Sequence, residues 1–143
     1  MANKIDDDGL LLDYDLKNLE MEEQYLYSMP DVSLTMLGWM MSHMMAQRAE
    51  PTLAEKAAGI CLIKKKVKFI HKAPFMLLPN KVYFADFYIP SEKMVITVTG
   101  PMPGEVEDYF REQGITVANF SGDVCKLVED IKNTLKGMAV KSR

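Results

Sequence analysis

The sequence predicts an α/β fold, a central mixed β-sheet flanked by helices, with an N-terminal helical extension. Two observations carry this. Helix-period patterns over residues 33–48 and 52–64 precede a run of β-branched and aromatic residues with period two, between residues 66 and 99. A further strand-like segment, residues 115–120, lies between two helical patterns. That order places helices on both faces of one sheet. A chain of 143 residues, 48% hydrophobic and 26% charged, is long enough for one domain with a real core.

Residues 1–32 form an acidic extension and residues 33–143 the α/β domain. Asp6, Asp7, Asp8, Glu20, Glu22 and Glu23 make the extension acidic, and its first nine residues are polar. Leu10, Leu11, Leu12, Leu16, Leu19, Tyr25 and Leu26 fit one or two short amphipathic helices, and Met29-Pro30-Asp31 ends them. Ser33 is placed to cap a helix through about Arg48. Its apolar residues are Leu34, Leu37, Trp39, Met40, Met41, Met44 and Met45. This methionine-rich helix reads either as a core-packed helix or as an adaptable partner surface. His43 within it reads as packed or solvated rather than as a ligand.

Thr52 and Glu55 have capping-box spacing and open a helix to about Lys64, with Leu53, Ala57, Ile60 and Cys61 available for burial. Strands are expected near residues 66–71, 75–78, 82–89 and 93–99. Turns fall at Asn80-Lys81 and Pro90-Ser91-Glu92. Pro101-Met102-Pro103-Gly104 stops the last of these strands, and a short helix, residues 104–113, ends at Gly114. Ser121 or Asp123 caps a final helix carrying Val124, Leu127, Val128, Ile131 and Leu135 at helical spacing, with its end at Gly137. Lys141-Ser142-Arg143 is a basic tail.

A net charge of -3 does not fit a wholly basic nucleic-acid binder. The charge is uneven, however, and Lys64, Lys65, Lys66, Lys68 and Lys72 make a local basic block. Lys64, Lys65, Lys66 and Lys68 read either as complements to a helix C-terminus or as a phosphate-contacting patch. Cys61 and Cys125 belong to no Cys/His cluster and read as reduced, packed thiols. No signal-peptide pattern opens the chain and no apolar run approaches ~18 residues. A cytoplasmic protein with no membrane partner is expected.

The residues that point to chemistry lie in Tyr83-Phe84-Ala85-Asp86-Phe87-Tyr88-Ile89-Pro90 and Met94-Val95-Ile96-Thr97-Val98-Thr99-Gly100. Aspartate is disfavoured in strands, so Asp86 marks either a site or a buried, hydrogen-bonded structural carboxylate. The second strand carries Thr97 and Thr99 where a metal-dependent hydrolase would need another acid. Lys72 could stabilise phosphate charge or stand as a solvated edge-strand lysine, and His71 could transfer protons. Regular strand alternation places His71 and Lys72 on opposite faces. Glu55 reads chiefly as the capping-box partner of Thr52.

The element order and several motifs resemble the PD-(D/E)XK nuclease superfamily, in the branch of very-short-patch-repair endonuclease-like proteins. Pro51-Thr52-Leu53-Ala54-Glu55-Lys56 looks like the branch's T-P-A-E-K/R helix start. Residues 67–75 look like its vkFxxQxPf strand, with Lys72 at the glutamine. Residues 83–90 match Y-x-x-D-F-x-x-P, and residues 94–100 match lvIEvDG. Residues 105–120 resemble the helix and strand that follow. The resemblance implies a restriction-endonuclease-like fold over about residues 50–135. It places Glu55 near the active site and Asp86 on the metal. It also sets Thr97 and Thr99 at the usual acidic positions.

Of the family's constellation, Glu55 and Asp86 remain. The implied function is a nuclease-fold protein with impaired catalysis that binds nucleic acid, DNA in the first instance, or a protein. One alternative is a Mg²⁺-dependent DNA endonuclease with a site rebuilt from Glu55, Asp86 and Lys72, in which Asp86 and Glu55 hold the metal. The other is a protein-interaction or homodimerisation module that uses the methionine-rich helix, residues 40–45.

Overall fold

A computed structural model describes residues 25–26, 33–78, 81–120 and 123–141. The elements are α1 (Leu34–Ala49), α2 (Leu53–Lys64), β1 (Ile70–Leu78), β2 (Lys81–Ile89), β3 (Met94–Thr97), α3 (Gly104–Glu112), β4 (Thr116–Asn119) and α4 (Val124–Lys141). The sheet is mixed, in the spatial order β1-β2-β3-β4. β1, β2 and β3 form an antiparallel meander, and β4 lies parallel to β3 after the crossover through α3. This is the predicted α/β class, a sheet flanked by helices.

Three helices, α1, α2 and α4, start on a side-chain cap, whereas α3 follows Pro103 without one. The Ser33 side chain accepts from the Met36 amide at 3.1 Å. Thr52 accepts from the Glu55 amide at 3.1 Å while Glu55 accepts from the Thr52 amide at 3.0 Å, the reciprocal capping box. Asp123 accepts from the Lys126 amide at 2.8 Å and opens α4. Ser121, the other candidate cap, lies outside the described residues. So do residues 1–24, Met29-Pro30-Asp31 and Asn80 of the expected turn. Of the N-terminal apolar residues, Tyr25 and Leu26 are described, and they are helical.

Two cores lie on the two faces of the sheet. On one, α2 and α4 pack Ala58, Leu62, Leu127, Ile131 and Leu135 on Phe69, Phe87, Ile89 and Ile96. On the other, Met102 and the α3 residues Val106 and Phe110 cover Ile70, Ala73, Phe75, Ala85, Tyr88 and Val95. α1 adds a smaller cluster through Leu37 and Met40, with Leu26 and Val82.

Several local expectations change. The segments at 66–71 and 75–78 join into one strand that runs through Pro74. β1 is an edge strand, so the missing proline donor costs no ladder bond. The Pro74 carbonyl accepts instead from the Tyr25 hydroxyl at 2.6 Å. α4 continues past Gly137 to Lys141. In α2 the buried residues are Glu55, Ala58, Gly59, Cys61 and Leu62, whereas Leu53 is 70% exposed. Burying Glu55 rotates the inward face away from Leu53. Cys125 is exposed and Cys61 buried, so only one of the two thiols is packed.

Candidate functional site

Glu55 sits in the first turn of α2, His71 and Lys72 near the start of β1, and Asp86 in the middle of β2. The fold gathers all four. Glu55 is 2% exposed. Its Oε2 meets His71 Nε2 at 2.9 Å and the Lys72 ammonium at 3.1 Å. Its Oε1 stays on the Thr52 amide. Glu55 therefore performs its capping task and an ionic task at once, one with each oxygen.

Lys72 also reaches Asp86 Oδ1 at 2.9 Å, so one ammonium bridges two carboxylates. The other Asp86 oxygen, Oδ2, accepts from the Val98 amide at 2.8 Å, the Thr99 amide at 3.1 Å and the Thr99 hydroxyl at 2.9 Å. Thr97 is buried and donates to Asn119, its cross-strand partner on β4. The two threonines divide the work. Thr99 serves Asp86 directly, and Thr97 ties β3 to β4.

The expectation that His71 and Lys72 face opposite sides fails, for a backbone reason. Lys72 has φ 59°, in the left-handed region, which costs a non-glycine residue ~1 kcal/mol. That turn lets two consecutive side chains share one face. His71 stacks on its cross-strand partner Phe87, with ring centroids 4.9 Å apart, while Lys72 stands beside Asp86. The change of face is matched on β2: Ala85 belongs to the α3 core, whereas Phe87 belongs to the α2/α4 core. Arg48 of α1 braces the same point, its Nε donating to the His71 carbonyl at 2.8 Å. Lys72 is thus no solvated edge lysine, since its side chain is 15% exposed.

The electrostatics follow from these contacts. Burial pushes the Glu55 carboxyl up. Hydrogen bonds from His71, the Thr52 amide and Lys72, together with the Lys72 charge, outweigh it and bring the pKa down to about 2. Burial pushes Lys72 down, and the bonds and charges of Asp86 and then Glu55 more than reverse this, so its pKa is raised. Burial, and then the Asp86 charge, push the Tyr83 phenol up to about 12. A carboxylate at about 2 is a poor proton acceptor near neutrality, and a stabilised ammonium is a poor nucleophile.

Every carboxylate oxygen of Glu55 and Asp86 is thus filled by a protein donor. Among the described residues no group of three or more His, Cys, Asp or Glu is placed to hold a metal ion. The oxygens that a divalent ion would share are those that Lys72 holds. An ion entering there would have to displace the ammonium, and the donor set as built fits the ammonium.

Lys64, Lys65, Lys66 and Lys68 are not part of this cluster. They are exposed at the far end of α2, which Lys64 reaches ~14 Å along the axis from Glu55. There the helix closes in a Schellman motif. The Lys66 amide donates to the Ile63 carbonyl at 2.9 Å and the Val67 amide to the Leu62 carbonyl at 3.0 Å. Lys66 holds the left-handed position, φ 58°, that glycine usually fills. Burial raises the pKa of the neighbouring Cys61 thiol, and the charges of Lys132 and Lys64 oppose it, which places Lys132 of α4 by the same edge.

Asn119 and Arg48 were not anticipated from sequence. Their roles depend on β4 pairing parallel to β3 and on α1 crossing β1, which no local pattern encodes. Comparisons with family models, curated proteins and solved structures give no match to this chain. What it does must be read from the site itself.

Proposed function

We propose that this chain is a nuclease-fold protein whose former metal site has become a structural ion cluster, and that it acts by binding nucleic acid through the lysines at the end of α2. The observation that carries the reading is the Lys72 ammonium bridging Glu55 and Asp86. It supplies internally the positive charge that two converging carboxylates otherwise take from a divalent ion. Thr99, at a position that is acidic in the resembled family, donates two hydrogen bonds to Asp86. The helix, three-strand meander, helix and parallel strand, in the order β1-β2-β3-β4, agree with the core of that fold and support the reading.

The binding half rests on charge placement. Four exposed lysines cluster within five residues, and Lys66 occupies a backbone position that would favour glycine. Four ammonium groups so close together provide the local positive charge that phosphate contacts use.

The test uses the purified chain with single- and double-stranded DNA. With Mg²⁺ or Mn²⁺ the expected result is no cleavage. Without metal the expected result is binding that weakens with salt, the slope becoming shallower by ~2–3 when Lys64, Lys65 and Lys66 are all changed to Gln. Metal-dependent cutting that Asp86→Ala abolishes would overturn the structural reading of the cluster. Binding untouched by the triple substitution, or none at all, would overturn the reading of the lysines.

A further inference from the structure

Charge is divided unevenly along the chain. Residues 1–32 hold nine of the 20 acidic residues and two of the 17 basic ones, so the extension carries -7 and residues 33–143 carry +4. Such asymmetry between two parts of one chain is the signature of an acidic interaction tail. Two triplets sharpen it. Asp6-Asp7-Asp8 is the one run of three acids in the sequence, and Lys64-Lys65-Lys66 is the one run of three basic residues.

The lysines are open to such a tail. Among the described residues the ion pairs engage Lys72, Lys81, Arg111 and Lys126. Lys64, Lys65, Lys66 and Lys68 are exposed and enter none of those pairs. The point where the extension joins the domain is fixed as well. The Tyr25 hydroxyl donates to the Pro74 carbonyl at 2.6 Å, and the Tyr25 ring lies 5.7 Å from that of Phe75 and 5.6 Å from that of Tyr88. Lys68 precedes Pro74 by six residues, at most ~20 Å of extended chain. Asp8 precedes Tyr25 by 17 residues, ~25 Å as continuous helix and ~55–60 Å fully extended. Both lengths exceed the gap to Lys68, so the tether allows the contact.

We propose that Asp6-Asp7-Asp8 docks on Lys64, Lys65, Lys66 and Lys68 of its own chain and competes with nucleic acid for them. The carboxylates of the extension stand in for phosphates, and the extension holds the binding surface in check. A tether of this length sets the acids before the lysines at an effective concentration of roughly millimolar. Exposed ion pairs are individually weak, but three of them together favour the closed form roughly ten to one at low salt. Apparent affinity for nucleic acid then falls by about the same factor, because only the open form binds. The inference rests on the nucleic-acid reading for the ligand displaced, not for the contact itself.

Carbodiimide coupling, which joins a carboxylate to an amine in contact with it, tests the docking without DNA. In the full-chain monomer at low salt, the expected cross-links join Asp6, Asp7 or Asp8 to Lys64, Lys65, Lys66 or Lys68. Raised salt or added DNA should suppress them. Anisotropy titrations with single-stranded DNA test the competition. Changing Asp6, Asp7 and Asp8 to Asn should tighten binding roughly tenfold. Changing Glu50, Glu112 and Glu129 to Gln makes the same change in net charge at exposed positions and should shift binding by under about twofold. With Lys64, Lys65 and Lys66 already changed to Gln, the tenfold gain should disappear. Absence of the cross-links overturns the docking, whether or not DNA binds. Equal tightening by the two acidic triple variants overturns the competition, since net charge alone then accounts for it. Cross-links in a chain that binds no DNA in any variant uphold the docking and overturn the nucleic-acid reading.

Discussion

Changing Glu55 to Gln tests the ion cluster most directly, because the substitution keeps the shape while removing the charge and one of the two acceptors. Glutamine offers one acceptor oxygen where Glu55 uses two, so either the Thr52 amide or the His71 and Lys72 donors lose their partner. The magnitude follows from titration. The Glu55 carboxyl falls from its ordinary 4.5 to about 2 in the folded chain. A depressed carboxylate stabilises fully above its unfolded pKa, and that stability is lost as pH falls through the folded value. The shift corresponds to about 3 kcal/mol near neutrality, about 1.5 kcal/mol near pH 3, and under about 0.5 kcal/mol near pH 2. Urea denaturation of wild type and variant at these pH values measures the gap, with Trp39 as the single tryptophan probe. Groups remote from Glu55 titrate alike in both proteins and cancel in the difference, whereas His71, Lys72 and Asp86 belong to the cluster under test. A gap that is constant from neutrality to about pH 3, or no gap at all, would refute the claim that Glu55 is held ionised by His71 and Lys72.

Two further substitutions probe the same chain. Lys72→Met keeps the aliphatic stem and removes the bridge, and should cost ~2–3 kcal/mol near neutrality, less than a fully buried pair because the ammonium retains some solvent. The folded pKa of Lys72 is raised above 10.5, so its contribution is complete below that value and disappears as pH rises through the higher one. The variant should lack this alkaline decline in denaturation midpoint. Lys66→Gly should raise stability by ~0.5–1 kcal/mol by relieving the left-handed backbone, yet weaken DNA binding with a salt slope shallower by ~0.9. An unchanged affinity would assign Lys66 to the turn alone.

Elements with local signals were legible beforehand. Ser33, Thr52 with Glu55, and Asp123 as one of two candidates mark helix starts by satisfying amides within three residues, and those contacts are present. Asp86 stood out because an acid inside a run of strand formers needs a partner. Its partners were not legible. Alternation gave Lys72 the wrong face, because a positive φ at a non-glycine residue has no signature in the side chain. The end of α4 was misread for the opposite reason: Gly137 carries a turn signal that the helix overrides.

The sequence by itself determined the α/β class, the helix starts at Ser33 and Thr52 and the isolated carboxylate on β2, since each depends on residues within a turn or two of one another. Only the tertiary structure decided what Asp86 is for. Glu55, Lys72, Asp86 and Thr99 come from a helix, two strands and the segment after a third, and they meet because the sheet packs on α2. Burial of two carboxylates at one point then requires a positive charge, and in this fold Lys72 supplies it.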